Sequence, residues 1–161
     1  MPSVRSRSFE AVILPHRIRE QAMISRMNTD EARSLLMDSR LGRLGCVYEG
    51  GPYVVPVNYV LDGENIYVHS LPGRKVTALR TNARACVQVD EVVDEYHWRS
   101  AIAFGLYREV NAGPERDRAV GLLLARFPQL TPVESVPVHD GQSSVILFRI
   151  QVEKITGVAE K

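Results

Sequence analysis

The chain has 161 residues, of which 45% are hydrophobic and 24% charged, and its formal net charge is +1. That length suits one domain around one continuous core, and the balanced charge supplies no global field to draw in nucleic acid or an anionic membrane. No apolar run reaches the ~18 residues that a membrane-spanning helix needs. Cys46 and Cys86 lie in apolar, strand-like runs without metal-ligand spacing, so they read as reduced thiols, with the cytoplasm as the default location.

Residues 1–26 stand apart from the rest. They carry Arg5, Arg7, Arg17 and Arg19 against Glu10 and Glu20, and their apolar run, Ala11 to Leu14, is too short for a secretory signal. They are expected to form a mobile N-terminal extension ahead of one domain spanning 27–161, with an organelle transit peptide as the alternative. Asn28-Thr29-Asp30-Glu31 then reads as a capped, acidic helix start. Ala32, Leu35 and Leu36 give that helix an apolar face as far as about Ser39.

Strands follow in quick succession. Leu44 to Tyr48 is the first, closed by the turn signal Glu49-Gly50-Gly51-Pro52, and Tyr53 to Leu61 is the second. Asp62-Gly63 makes a hairpin into a third strand, Asn65 to Ser70. Leu71-Pro72-Gly73 breaks the run before a two-turn helix, Arg74 to Arg80. Ala85 to Val93 and Ser100 to Val110 are the fourth and fifth strands, with Gly105 marking a bulge or a close backbone approach. Pro114 to Phe127 has the acids and the proline of a helix N-terminus, and a proline-rich loop follows to Gln142. Val145 to about Ile155 is the last strand. Six strands joined mostly by tight turns predict a mainly β fold, an antiparallel barrel with helices packed outside.

Tyr67-Val68-His69-Ser70-Leu71-Pro72-Gly73-Arg74-Lys75 is the segment richest in chemistry. A strand ends at a hydroxyl, a turn follows, and two cations open a helix. Cations are electrostatically misplaced at a helix N-terminus unless an anion compensates, so Ser70, Arg74 and Lys75 read as a phosphate grip. In Pro56-Val57-Asn58-Tyr59, a mid-strand proline calls for a sheet edge or a bulge, where free backbone groups suit a flat ring. Trp98, ahead of the fifth strand, suits stacking or an interface. His16, His69, His97 and His139 are scattered, and no nucleophile motif, Walker loop or dinucleotide fingerprint occurs. The lack of a dedicated acid–base set fits a protein whose cofactor carries the chemistry.

Taken in order, Gly42-Arg43-Leu44-Gly45, Pro56-Val57-Asn58-Tyr59, Tyr67-Val68-His69-Ser70, Gly73-Arg74-Lys75, Trp98-Arg99-Ser100 and Gly105 resemble the pyridoxamine-phosphate-oxidase-like FMN-binding split barrels, in the nitroimidazole-reductase-like branch. The resemblance runs from about Met27 to Val158. It implies a six-stranded split barrel forming a homodimer, with FMN in clefts at the subunit interface. Ser70, Arg74 and Lys75 would then hold the phosphate, with His69 beside them. Pro56, Val57, Asn58 and Tyr59 would line the isoalloxazine through backbone groups, and Trp98 and Ser100 would approach from the partner. The strand ending Gly157-Val158-Ala159-Glu160-Lys161 lacks the basic substrate cluster of the pyridoxamine oxidases, which argues against vitamin B6 oxidation. Arg74 stands where that branch often has His.

The expected activity is transfer of electrons from a nicotinamide donor to a small acceptor such as a nitro or quinone compound. Two rival readings keep the barrel: a non-catalytic flavin or haem carrier or sensor, and a deazaflavin-dependent reductase using Arg80 and Arg84 as additional cations.

Overall fold

Period-two burial drives the architecture. Along one strand Ala85, Val87 and Val89 are buried while Arg84 and Asp90 are exposed, and along its neighbour Ala101, Ala103 and Tyr107 point inward. The computed structural model describes residues 24–129 and 145–160. Its elements are β1 (Ile24–Arg26), α1 (Thr29–Asp38), β2 (Leu41–Tyr48), β3 (Gly51–Asn58), β4 (Val60–Asp62), β5 (Asn65–Ser70), α2 (Arg74–Thr81), β6 (Arg84–Asp94), β7 (His97–Glu109), α3 (Pro114–Arg126) and β8 (Ile146–Glu160).

The strands form one sheet in the order β3-β2-β6-β7-β8-β5-β4, with β1 added against β8, and every pairing is antiparallel. The mainly β class is as expected, but there are eight strands rather than six. The predicted strand Tyr53–Leu61 divides at Tyr59 into β3 and β4, which occupy opposite ends of the sheet order. One intervening residue spans only about 7 Å between flanking Cα atoms, so the sheet must curl until its two ends meet. The hydrogen-bonded ladder itself does not close, and the chain bridges the split. β3 therefore keeps a free edge. The other additional strand, β1, pairs Ile24 with Glu160 and Arg26 with Val158, so residues 24–26, assigned to the expected extension, join the sheet. Residues 1–23 and most of the expected proline-rich loop lie outside the described residues.

Tyr59 anchors the split. It is fully buried, and its hydroxyl donates to the carbonyl of Leu36 near the end of α1. That helix starts on a reciprocal cap in which Asn28 Oδ1 accepts from the Glu31 amide at 2.9 Å and Glu31 Oε2 accepts from the Asn28 amide at 2.9 Å. Ala32, Leu35 and Leu36 then pack into a core with Leu44, Val87, Ala103, Phe148 and Ile150. On α3 only Ala119 and Leu123 are fully buried, and they join Val60, Tyr67, Val110 and Leu147 in a second cluster.

Gly105 is both a bulge and a close approach. Phe104 pairs with Lys154 but Gly105 pairs with Val152, which leaves Glu153 as the additional residue on β8. A Cβ at Gly105 would lie 2.1 Å from the Gln151 carbonyl oxygen, so no side chain fits there.

Candidate functional site

Three helix N-termini can be compared. α1 carries Asp30 and Glu31 in its first turn and α3 carries Glu115 and Asp117, so both complement the positive end of the dipole. α2 opens instead with Arg74 and Lys75, has no acid in its first turn, and receives no side-chain cap from Gly73. The Gly73 carbonyl accepts from the Val76 and Thr77 amides, both at 3.0 Å. The amides of Arg74 and Lys75 precede the first intrahelical bonds and remain available to a ligand.

The surrounding charges sharpen the contrast. Arg33, Arg43, Arg80, Arg99, Arg118 and Arg149 each pair with a carboxylate. Among the described residues neither Arg74 nor Lys75 has such a partner. Lys75 is half-buried, and burial pushes its ammonium below the ordinary lysine value. Beside it, Ser70 ends β5 almost fully buried, with Oγ donating to the Leu71 carbonyl at 2.6 Å. Among the described residues, this helix start therefore concentrates positive charge without a compensating carboxylate.

β3 ends the strand order of the sheet. Pro52 and Pro56 share one phase of the strand, opposite Val47 and Arg43, and an edge strand tolerates proline where the missing N–H would face away from the ladder. Asn58 shares that phase and is exposed, whereas the side chains of Val57 and Tyr59 enter the core. These two residues therefore offer a ligand backbone groups only. The β4–β5 ladder ends where Val60 pairs with Tyr67, two residues beyond the end of β3. β3 and β5 are in contact, and β5 runs through Leu71-Pro72-Gly73 directly into α2, so His69, Ser70, Arg74 and Lys75 follow one another along the chain.

Trp98 and Ser100 lie apart from that segment. Ser70 pairs with Ile146 at the start of β8, while Trp98 pairs with Glu160 at its end. The fifteen residues of β8 run about 45 Å along the strand, so its two ends serve separate regions. At the distant end the Trp98 indole N–H donates to Glu160 Oε2 at 2.7 Å. Ser100 Oγ donates to the Val89 carbonyl at 3.1 Å and accepts from Gln88 Nε2 at 2.9 Å.

Sequence reasoning overlooked the polar cluster that Ser100 joins, in which Arg43 Nη1 approaches Asp90 Oδ1 at 2.5 Å and Gln88 Nε2 donates to the same oxygen at 3.1 Å. The alternation of Gln88 and Asp90 with Val87 and Val89 was its only sequence signal. The same outer sheet face exposes Leu41, Val47, Val54, Phe104 and Val158. A shallow hollow of about 380 Å³ lies there between Val54, Cys86 and Phe104. Arg80 donates to Glu109 through Nε at 2.6 Å and Nη2 at 3.2 Å at the far end of α2, so it is not a free cation beside Arg74 and Lys75.

An antiparallel, mainly β sheet that curls without closing its ladder defines the class, a split barrel. The pattern of the family described as pyridoxamine 5'-phosphate oxidase matches residues 28–159, and the chain belongs to that family. An uncharacterized protein of Rhizobium meliloti (strain 1021) is 30% identical over 140 residues, covering 83% of this chain and 93% of its own. The crystal structure of a FAD-binding protein from Mesorhizobium loti superposes with a TM-score of 0.71 at 29% identity, over 86% of this chain and 99% of that one. A Bacteroides thetaiotaomicron protein, provisionally named for 5-nitroimidazole antibiotic resistance, shares the fold with a TM-score of 0.67 at 20% identity, over 85% and 87% of the two chains. Among the described residues no helix is long and apolar enough to cross a membrane, and no group of His, Cys, Asp or Glu is arranged to hold a metal.

Proposed function

We propose that the protein is a flavin-dependent oxidoreductase that holds the FMN moiety through its phosphate and works as a homodimer. The reading rests on one observation, the uncapped start of α2 with two cations that lack carboxylate partners among the described residues. A phosphate monoester fits this donor set because it accepts from helix amides, from a guanidinium and from an ammonium at once. Bound flavin supplies the hydride and electron chemistry, drawing on a nicotinamide donor and delivering to a small acceptor such as a nitro or quinone compound.

The chain's own residues bind and orient. Lys75, Arg74 and the first-turn amides take the phosphate, with Ser70 alongside. The free edge of β3 at Pro56 and Asn58 presents backbone groups to the ring, while Val57 and Tyr59 keep that edge rigid from the core side. Because Trp98 and Ser100 lie at the other end of β8, a second copy must supply them. The exposed apolar residues of the outer sheet face suit that association. Free thiols at Cys46 and Cys86 suit a cytoplasmic site of action.

The test is the ultraviolet–visible spectrum of freshly isolated protein. A flavin spectrum that bleaches with NADH or NADPH supports the reading, and colourless protein that ignores added flavin overturns it. The name of the Mesorhizobium loti protein favours a second reading, a binder without turnover. Tight flavin binding with no steady-state turnover across nitro and quinone acceptors would select it.

A further inference from the structure

A cavity of about 780 Å³ lies between the end of α2, the end of β7 and the start of α3. That volume falls within the range of small-molecule sites. β7 outruns β6 here. Arg84, the first residue of β6, pairs with Leu106, so Tyr107, Arg108 and Glu109 have β8 on one side and line the cavity. The loop at 111–113 is pinned on both sides. The Val110 amide donates to the Leu147 carbonyl at 2.9 Å, the Val110 carbonyl accepts from Arg116 Nη1 at 3.0 Å, and the Gly113 carbonyl accepts from the Asp117 amide at 3.1 Å.

Two of the three guanidiniums on this lining are answered. Arg80 pairs with Glu109, which also accepts from the Tyr107 hydroxyl at 2.7 Å, and Arg149 pairs with Glu115, which also accepts from the Tyr67 hydroxyl at 3.0 Å. Arg108 has no carboxylate partner among the described residues. It stands directly opposite Arg149 in the β7–β8 register, and Tyr67 stands opposite Arg149 on the other side, so the three share one face of the sheet. Side chains opposed in this way have Cβ atoms about 4.5–5.5 Å apart, where like charges destabilise the pair. Arg149 Nε is also buried without a hydrogen-bond partner among the described residues. The row therefore holds donors that call for an acceptor.

Three guanidiniums against two carboxylates leave one positive charge on the lining. Glu109 stays ionised, because the hydrogen bond from Arg80, and then that from Tyr107, hold it below the ordinary carboxylate range. One surplus charge suits a monoanion, whereas the two carboxylates would repel a polyphosphate. Leu79, Ala83, Val110 and Pro114 supply apolar wall between the charged groups. We propose that this cavity binds a small monocarboxylate with an apolar body, its carboxylate paired with Arg108 and its body against Leu79, Ala83 and Val110. A guanidinium can take both oxygens of such a group at once. The site lies outside the flavin reading and does not depend on it.

The experiment titrates the purified full-length protein by calorimetry with 2-naphthoate as the probe and 2-naphthamide as its neutral counterpart. The acid should saturate below about 1 mM, and the amide should bind at least about tenfold more weakly. Arg108→Gln should weaken the acid by a similar factor. Because it removes a like-charge opposition at an exposed position, the variant should melt no lower than the parent. Ala112→Glu, on the exposed loop, cancels the surplus charge and should also weaken the acid about tenfold, which keeps the test open if Arg108→Gln folds poorly. No saturation by 1 mM, equal binding of acid and amide, or undiminished binding to both variants would overturn the proposal. So would loss of binding in Lys75→Met, which would place the probe at the start of α2, and so would inorganic phosphate binding more tightly than the acid.

Discussion

Lys75→Met separates stability from function at the start of α2. The lysine stem is half-buried, its ammonium has no carboxylate partner among the described residues, and burial alone lowers its pKa. Methionine keeps most of the packed stem and removes the charge. In the free protein this relieves a desolvation cost. Solvent still screens a half-exposed ammonium, so the gain stays within about 1 kcal/mol, or about 2–4 °C in Tm. With flavin the sign reverses, because the variant loses a charge-assisted hydrogen bond of about 1.5–3 kcal/mol, which weakens binding roughly 10- to 150-fold. Differential scanning calorimetry of the apoprotein and flavin titration read the two effects separately. A variant that is less stable without ligand, or that binds flavin as well as the parent, would refute the reasoning.

Other consequences follow from the same geometry. The depressed pKa of Lys75 means that the unfolded chain binds more protons between the folded value and 10.5. The free protein should therefore gain stability as pH rises through that window. Flavin phosphate restores the charge, so binding should take up protons and weaken as pH climbs through the free-state value; calorimetry in two buffers of different ionisation heat measures the uptake. Tyr59→Phe leaves the Leu36 carbonyl without its buried donor and should cost about 1–2 kcal/mol in a denaturant titration. Gly105→Ala places a methyl group against the Gln151 backbone, where no rotamer relieves it. The expected cost is about 3 kcal/mol, seen as roughly 6–12 °C in Tm.

Much of the fold was legible because local signals and tertiary outcome agree. The Asn28 cap, the Glu49-Gly50 turn, the Asp62-Gly63 hairpin and the Gly105 bulge all lie where residue chemistry places them. Pro56 correctly marked an edge. The division at Tyr59 was not legible, because Val57, Tyr59 and Val60 continue an apolar run and only curling of the sheet separates β3 from β4. Pairing of β1 with the end of β8 depends on partners over 130 residues away, which no local pattern records.

The candidate site divides in the same way. Ser70, Arg74 and Lys75 are adjacent in sequence, so their chemistry could be read directly. A compact phosphate grip favoured FMN on sequence alone, whereas a groove between α2 and the β2–β3 turn forms only once that turn stands beside the helix. The Arg43, Gln88, Asp90 and Ser100 cluster likewise needs three strands in register.

Subunit complementation tests the central claim most directly. Lys75→Met and Trp98→Ala each impair both sites of a homodimer, but a mixed dimer pairs one intact α2 start with one intact Trp98. Unfolding and refolding an equal mixture should restore native flavin affinity to about a quarter of all sites, the fraction set by random pairing in a two-fold dimer. No recovery beyond the separate variants would show that the start of α2 and Trp98 do not meet across a subunit interface, and would contradict the account.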